Sequence, residues 1–339
     1  MKILIYDVDC SSSGIEYPLK SAFEDLGHDA DMFDWTKFLY TSNNINLINR
    51  VKDKFFTRFI VQEINSQLIN AINSKTYDLM LVLRGEHILP DTLLQAKKRI
   101  KVIANWNTDD LFNKLNSSDR LIKSIPIYDV HFSPRPHLLD EYILHGAKRF
   151  ETLNWYYRYG LKYETPLFNP NLFIYDGSFI GSMSNRRYDL LKILHDYNVG
   201  LYGWGWNKIS KIAKQKNWSI NPSIDIIQMH KIFSLSKINI NILTVENRDT
   251  SNFRNFEINA AGGFQLAERS DVIKNLFKED EEIVCFSSTD ELKSKFDFYS
   301  KNNTIRNRIA MSGYKKIFKA NNSLTDRLNQ IINIIEEIR

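Results

Sequence analysis

The first half of the chain alternates short apolar runs with amphipathic stretches, and this alternation predicts strands and helices in turn. The expected strands are residues 3–8, 31–35, 77–83, 101–105 and 130–133, and the expected helices are residues 15–26, 44–73 and 93–99. The first helix should end at Gly27, because glycine readily adopts the left-handed conformation that closes a helix. Strands that alternate with helices are typical of a parallel sheet, which binds ligands at the carboxyl ends of its strands.

The same pattern restarts in the second half. The expected strands are residues 176–181, 199–203, 237–243, 263–267 and 282–286, and the expected helices are residues 187–197, 289–299, 305–318 and 324–338. Residues 156–171, between the halves, are rich in aromatic residues and proline and lack a clear period. We therefore predict an α/β protein with two Rossmann-like domains that face each other across a cleft. Their bounds are residues 1–165 and residues 166–322, followed by a C-terminal helix at residues 323–339.

Composition narrows the class of protein. With 43% hydrophobic and 13% aromatic residues, a chain of 339 residues can bury two cores, so wholesale disorder is not expected. A formal net charge of +5 favours an anionic partner such as a nucleotide-sugar or a lipid surface. A Lys- and Asn-rich surface without a specific function is an equal alternative.

The cysteines and the lengths of the apolar runs indicate the cellular compartment of the protein. Cys10 and Cys285 lie far apart in apolar, strand-like contexts, which favours buried thiols in a reducing environment. The first strand begins at Lys2, which leaves no room for a signal peptide, and no apolar run approaches a bilayer-spanning length. We expect a soluble, cytoplasmic protein.

The most informative segment is residues 247–263, where polar and charged residues precede a short helix that stops at a glycine pair. Backbone amides at such a helix start can bind an anion, and Arg254 would point along the same mouth. The carboxylate of Glu257 could accept hydrogen bonds from both hydroxyls of a ribose. These groups suit a nucleoside diphosphate, although a capped surface helix is the simpler interpretation of any one residue. The candidates are Asp249, Thr250, Ser251, Asn252, Phe253, Arg254 and Glu257.

A second anion-binding candidate is the turn at residues 181–187. Gly181 and Ser182 follow a strand, and Arg186 and Arg187 begin a helix. Arginines at that end of a helix oppose its dipole and need a compensating anion, which a diphosphate would supply. Such turns are common, so the evidence from this turn alone is weak.

Aromatic residues flanked by glycines close the next strand. Tyr202 and Trp204 could stack on a base or a sugar, whereas packing between helices is the more frequent use of such side chains.

Polar residues at strand ends of the first half give further candidates. The loop after the first strand would shape the cleft floor near the acceptor. A carboxylate pair could supply a general base, although capping of the next helix is an equal alternative. A lone histidine beside a strand is more often a packed residue than a catalyst. The candidates are Ser12, Ser13, Gly14, Asp109, Asp110 and His131.

Metal and covalent chemistry find little support. The sequence contains no cysteine pair or His-x3-His run, no Gly-x-Ser-x-Gly elbow, and no Gly-x4-Gly-Lys-Ser/Thr loop. We expect no metal and no cofactor.

Taken in order, segments of the second half resemble the CgeB or spore-maturation-protein group of glycosyltransferases, which are of the group-1 type with a GT-B fold. The first half matches more loosely, at Gly27-His28, Tyr77-Asp78-Leu79 and the run from Trp106 to Asp110. The segments of the second half are residues 179–187, 201–206, 232–239, 247–257, 261–269 and 309–314.

The resemblance implies roles for individual residues. Asp249 and Glu257 stand at the two positions of the family's Glu-x7-Glu motif, whose acids contact the donor sugar and the ribose. Arg187 corresponds best to the basic residue that binds the diphosphate. Ser182 replaces an arginine of that pattern, whose charge Arg186 or Arg254 would supply. The family's Asp-Pro-x-x-Phe junction is missing, and the C-terminal helix is expected to pack on the N-terminal domain.

The resemblance also implies a function, a metal-independent hexosyl or related transferase. Such an enzyme would move a sugar from a nucleoside diphosphate donor to a hydroxyl of a glycan, lipid-linked glycan, protein or small molecule. We expect the N-terminal domain to hold the acceptor and no nucleic acid to bind, while a peripheral membrane contact is compatible with the sequence. The oligomeric state is not defined. Two alternatives are a nucleotide-sugar epimerase or hydrolase of the same fold and a non-enzymatic nucleotide-sugar-binding protein.

Overall fold

The computed structural model of this chain describes residues 1–7, 17–42, 46–157, 172–213, 216–245 and 250–339. These residues form two compact units, residues 1–154 together with 324–339, and residues 155–323. Each unit contains a six-stranded sheet in which every pair of neighbouring strands is parallel. The α/β fold with two Rossmann-like domains is therefore confirmed.

The first unit has the strand order β2-β1-β3-β4-β5-β6. Its central strands β3 and β4 are buried along their whole length, as expected for continuous apolar runs covered on both faces. The strands are β1 (Lys2–Asp7), β2 (Asp29–Asp34), β3 (Leu79–Leu83), β4 (Val102–Trp106), β5 (Val130–Ser133) and β6 (Phe150–Thr152). The helices are α1 (Tyr17–Asp25), α2 (Leu47–Phe55), α3 (Thr57–Ser74), α4 (Pro90–Ala96), α5 (Asp119–Ser124) and α6 (Leu139–Leu144).

The second unit has the order β12-β11-β10-β7-β8-β9, so the chain leaves β7 toward one edge and later returns to its other side. The strands are β7 (Tyr175–Ile180), β8 (Val199–Tyr202), β9 (Trp218–Asn221), β10 (Ser236–Asn241), β11 (Gln265–Glu268) and β12 (Val284–Phe286). The helices are α7 (Asn185–Leu191), α8 (Ser210–Ala213), α9 (Ile226–Ser234), α10 (Phe253–Ala260), α11 (Asp271–Leu276), α12 (Thr289–Lys301) and α13 (Asn303–Lys319).

The last helix, α14 (Leu324–Ile338), belongs to the first unit. Its apolar stripe, which includes Leu328 and Ile331, is buried, and the helix packs against α1. Arg327 is also buried and donates from Nε to the carbonyl oxygen of Asn154 at 2.9 Å. The chain therefore returns to its first sheet after completing the second.

Two structural facts bear on the expectations from composition. Cys285 lies on β12, and burial raises the pKa of its thiol to about 12, whereas Cys10 lies outside the described residues. No helix among the described residues is both long and apolar enough to cross a membrane.

Candidate functional site

The second unit has a topological switch point between β7 and β10. These strands are neighbours, and the connections that follow them run to opposite sides of the sheet. In open parallel sheets ligands bind in the crevice at such a point, outside the carboxyl ends of the strands. The turn after β7 and the start of α10 both lie there, because Arg254 donates from Nε to the carbonyl oxygen of Ile180 at 3.3 Å. The structure therefore brings together the two segments that the sequence singles out separately.

The turn after β7 is held against the turn after β8. The indole nitrogen of Trp206 donates to the carbonyl oxygen of Gly181 at 2.8 Å, and the amide of Met183 donates to Trp204 at 2.8 Å. Gly203 has a φ of +134°, and a Cβ there would lie 2.4 Å from the carbonyl oxygen of Gly181. Glycine is therefore required for the two turns to touch.

The two aromatic candidates at the end of β8 occupy different environments. The side chain of Trp204 is 72% exposed, with the Lys208 ammonium 5.3 Å from its ring centre. Tyr202 is buried, and its hydroxyl lies 2.9 Å from that of Tyr175. Burial, together with the bond to Tyr175, raises the pKa of Tyr202. Trp204 can therefore stack on a ligand, whereas Tyr202 packs inside the domain against Tyr175.

Arg187, the predicted diphosphate ligand, bonds to the protein backbone in this structure. Its guanidinium is buried and donates to the carbonyl oxygens of Ser182 at 2.9 Å and Ile242 at 2.8 Å. It also lies 5.2 Å from the ring centre of Phe179. These bonds connect the turn after β7 with the residue after β10. Arg187 therefore holds the two sides of the switch point together.

Arg186 has a carboxylate partner inside the protein. It forms an ion pair with Glu268 at the end of β11 and donates to the carbonyl oxygen of Leu243 at 3.1 Å. The second carboxylate oxygen of Glu268 accepts from the amide of Leu243 at 3.1 Å. The anion that the helix dipole argument requires is therefore Glu268, a residue that the sequence analysis did not select.

Arg254 and Glu257 form an ion pair across one turn of α10. The Glu257 side chain is only 4% exposed, whereas that of Arg254 is 27% exposed. Both side chains lie at the start of α10, beside the carboxyl end of β7. A cation and a carboxylate are thus placed together where the switch point admits a ligand.

The start of α10 is closed by a reciprocal capping box. The side chain of Asn252 accepts from the amide of Asn255, and the side chain of Asn255 accepts from the amide of Asn252 at 2.9 Å. Thr250 and Ser251 are buried; their carbonyl oxygens accept from Ser270 and from the indole of Trp155, each at 2.8 Å. The amide of Asn252 therefore already has a partner within the helix cap.

A buried network of side-chain amides fixes α10 to the sheet. Asn241 and Asn252 bond reciprocally at 3.1 and 3.0 Å, and Asn255 donates to Gln265 at 2.8 Å. Gln265 in turn donates to the carbonyl oxygens of Arg254 at 3.2 Å and Asn255 at 3.3 Å. Buried amides of this kind need such partners, so the network sets the position of Arg254. The polar residues within the buried strands β10 and β11 are the feature of the sequence that indicates this network.

Phe253 and His230 complete the surroundings of α10. The Phe253 ring packs 4.3 Å from that of Trp155 and 5.1 Å from that of Tyr156. His230, on α9, was not selected from the sequence. Burial lowers the pKa of its imidazole, and the negative charge of Glu257 acts in the opposite direction.

The carboxylate pair of the first unit follows β4. Asp109 lies 3.5 Å from Nε of Arg84, which follows β3 and has a φ of +55°. Asp110 accepts from the amide of Phe112 at 2.9 Å within a turn, whereas the next helix, α5, is capped by Ser118. Both side chains are half-buried. The pair therefore sits at the carboxyl edge of the first sheet.

His131, a predicted catalytic candidate, lies in the core of the first unit. The residue is 1% exposed; its Nδ1 lies 3.3 Å from the Asn105 side chain and its Nε2 lies 2.9 Å from the carbonyl oxygen of Ile125. Burial lowers the pKa of this imidazole to about 4. A group that is sealed in this way cannot reach a substrate.

Several predicted site residues lie outside the described residues: Ser12, Ser13, Gly14 and Asp249. Their roles stay predictions. Within the described ranges, no group of three or more His, Cys, Asp and Glu side chains could hold a metal ion.

Comparison with known proteins gives one family and a set of structures. Residues 186–333 match a family model described as "Glycosyl transferase-like". No curated protein matches the sequence.

Three of the similar structures cover nearly the whole chain. HepE of Anabaena, in complex with UDP and glucose, has a TM-score of 0.63 at 11% identity and covers 99% of this chain and 100% of its own. An α-glucosyltransferase in complex with UDP-glucose and DNA has a TM-score of 0.64 at 13% identity, with 99% of both chains covered. Sucrose-phosphate synthase of Thermosynechococcus elongatus has a TM-score of 0.68 at 9% identity, and covers 100% of this chain and 99% of its own.

Identities this low show the fold alone, so the DNA in one complex leaves our expectation of no nucleic acid partner untested. The two parallel sheets match those of GT-B glycosyltransferases. The match does not reach the narrower CgeB group. The chain has the GT-B fold, and its second half is similar to the glycosyl transferase-like family.

Proposed function

We propose that this protein is a glycosyltransferase that moves a sugar from a nucleoside diphosphate donor to an acceptor hydroxyl. The observation that carries the proposal is the Arg254–Glu257 pair at the switch point of the second unit. The similarity of residues 186–333 to a glycosyl transferase-like family supports it. UDP and UDP-glucose, which appear in the similar structures, are the first ligands to test.

Donor binding follows from the charges at the site. Glu257 would accept hydrogen bonds from the ribose hydroxyls, and Arg254 would turn from Glu257 to the diphosphate. Arg186 keeps Glu268 as its partner beside the site. Trp204, which is exposed, would stack on the base. Asp249, at the sugar, completes the proposed donor site.

In the transfer step the acceptor oxygen would attack the anomeric carbon while the bond from that carbon to the diphosphate oxygen breaks. Negative charge develops on the leaving diphosphate, and arginines placed beforehand stabilise it. This stabilisation is our reason for proposing a metal-independent reaction. The acceptor proton would pass to a carboxylate, for which Asp109 and Asp110 of the first unit are the candidates. We further propose a cytoplasmic location and an acceptor held by the first unit.

Substitution of Glu257 tests the donor site. A neutral amide in place of the carboxylate weakens its hydrogen bonds to ribose, and bonds to a charged group contribute about 1.5–3 kcal/mol. We expect Glu257→Gln to reduce affinity for UDP about 10- to 100-fold, measured by isothermal titration calorimetry. Glu281→Gln, at an exposed acid of the same unit, is the matched control and should bind UDP normally.

Turnover separates the candidate functions. Release of UDP that depends on an added acceptor and persists in EDTA would support the metal-independent transferase. Donor hydrolysis or epimerisation without acceptor would identify the first alternative, and UDP binding without any turnover would identify the second. If no nucleotide binds and Glu257→Gln is silent, the donor site itself is wrong.

A further inference from the structure

Helix α2 in the first unit presents its apolar face to solvent. Leu47, Ile48, Val51 and Phe55 lie on one side of this helix, as their spacing requires. Their exposed fractions are 77%, 67%, 46% and 81%, and no residue of α2 is buried. Phe59, in the first turn of α3, is 68% exposed. Most helices of a folded domain bury such a face, so this arrangement needs an external partner.

The polar side of α2 faces its own unit instead. Asp53 accepts from the amide of Tyr40 at 2.6 Å, and from the amide and hydroxyl of Thr41 at 3.2 and 2.6 Å. Asn49, one turn earlier on the same side, is half-buried. These bonds fix the rotation of the helix about its axis. The outward direction of the apolar face is therefore set by hydrogen bonds.

The charges around the apolar face are positive. Lys52 and Lys54 lie at its two edges, and Arg50 and Arg58 lie nearby on α2 and α3. Asp53 is the one acid of α2, and it is turned toward its own unit. An exposed apolar stripe with lysines at both edges is typical of a helix that lies in the surface of an anionic membrane. A second copy of the chain would instead bring two positive edges together.

Aromatic side chains extend the apolar surface next to α2. An open groove of 460 Å³ is lined by four aromatic residues and by residues of α3: Phe38, Tyr40, Phe56, Phe59, Ile60, Gln62, Glu63 and Ser66. Phe56 packs 5.9 Å from the ring of Tyr40, and Lys52 lies 5.5 Å from the centre of that ring. The face therefore continues from α2 into α3 without an acidic residue between them.

We propose that α2 and the first turn of α3 bind the surface of an anionic lipid bilayer, with the apolar side chains among the acyl chains and the lysines at the headgroups. The interaction is peripheral, and it uses no residue of the proposed donor site. It would bring the enzyme to lipid-linked or membrane-proximal acceptors. The membrane contact stands whether or not the chain transfers a sugar.

Flotation of the full-length protein with vesicles tests the contact. We expect binding to vesicles of phosphatidylcholine with about a third phosphatidylglycerol, weak binding to phosphatidylcholine alone, and loss of binding as salt rises. Phe55→Ser combined with Phe59→Ser should lower the partition coefficient about tenfold or more. Lys52→Gln combined with Lys54→Gln should lower it about 20-fold on anionic vesicles only.

Matched controls distinguish binding through the apolar face of α2 from nonspecific adsorption to vesicles. Phe298→Ser on α12 removes an aromatic ring that is 49% exposed, and Lys274→Gln with Lys278→Gln removes two exposed charges. Both should float like the unsubstituted protein. All variants should keep their circular dichroism spectra and their affinity for UDP, so a failure here is distinct from a failure of the donor site.

Two outcomes would overturn the proposal. Absence of the unsubstituted protein from the anionic vesicle fraction is the first. Self-association in analytical ultracentrifugation that the Phe55 and Phe59 substitutions abolish is the second, since it would make this face a contact between copies of the chain.

Discussion

At the scale of single residues, the charged groups of the second unit are satisfied in pairs before any ligand arrives. Arg186 has Glu268 and Arg254 has Glu257. The first pair joins α7 to the end of β11, whereas the second lies within α10, and the two arginines are 26% and 27% exposed. An ion pair of this kind holds the Glu257 side chain in place before a ligand binds.

The pH dependence of stability tests the position of His131. Its pKa is about 4 in the folded protein against an ordinary value of 6.5, so between these values the unfolded chain binds the extra proton. Stability from this residue is present above pH 6.5 and falls by about 1.4 kcal/mol per unit as the pH drops toward 4. We expect His131→Gln to flatten this slope in denaturant unfolding and to leave turnover intact.

The exposed His195 provides the control for that experiment. His195→Gln should leave the slope unchanged, because the side chain of His195 is 51% exposed and lies outside the core. A loss of turnover in His131→Gln, without a loss of stability, would return this residue to the list of catalytic candidates.

At the scale of elements, the close approach of two turns at the carboxyl edge of the second sheet depends on Gly203. Alanine there is strained at a φ of +134° and its Cβ meets the carbonyl oxygen of Gly181. We expect Gly203→Ala to lower the free energy of unfolding by about 3 kcal/mol and to weaken UDP binding. Both effects can be read from thermal unfolding with and without UDP.

Gly27 offers a matched comparison for Gly203. It has a φ of +80°, but a Cβ there would meet nothing within 4 Å. Gly27→Ala should therefore cost only about 1 kcal/mol of strain and leave UDP binding unchanged. Equal effects of the two substitutions would contradict the importance of the contact between the turns.

Predictability from the sequence differed between kinds of element. Buried central strands such as β3 and long amphipathic helices such as α14 follow from their apolar pattern. The edge strands β6 and β9 were not predicted, because each has one paired side and polar residues such as Glu151 and Ser219. An apolar pattern reflects burial: no residue of β6 and only Trp218 of β9 is buried, whereas the edge strand β12, which the sequence predicts, is buried throughout.

The candidate site divides in a similar way. The start of α10 and the turn after β7 could be found from the sequence because their glycines and charges are clustered along the chain. Glu268 and Gln265 could not, since they reach the site only through the order of strands in the sheet. Arg187 and Tyr202 are buried, whereas similar residues next to them are exposed. The residue types alone do not show which of them is buried.

At the scale of the whole molecule, α14 completes the first unit. Ile331 is buried in the face of α14 that packs on that unit. Substitution of a buried isoleucine by alanine lowers the free energy of unfolding by about 2–5 kcal/mol. We expect Ile331→Ala to increase hydrogen exchange of β1 and β3, measured by mass spectrometry, while β7 and β10 stay protected.

The exposed Asn333 of the same helix is the control for Ile331. Asn333→Ala should leave the exchange of both sheets unchanged. Equal loss of protection in β1 and β7 on substitution of Ile331 would mean that the two units unfold together.

The return of the chain to its first sheet has a consequence for synthesis on the ribosome. All parts of the second unit, residues 155–323, emerge before α14 does. The second unit can therefore finish folding while the first, although made earlier, still exposes the apolar surface that α14 covers. In the cell the nascent first unit should be the part that needs chaperones, and it becomes complete only when its last helix leaves the exit tunnel.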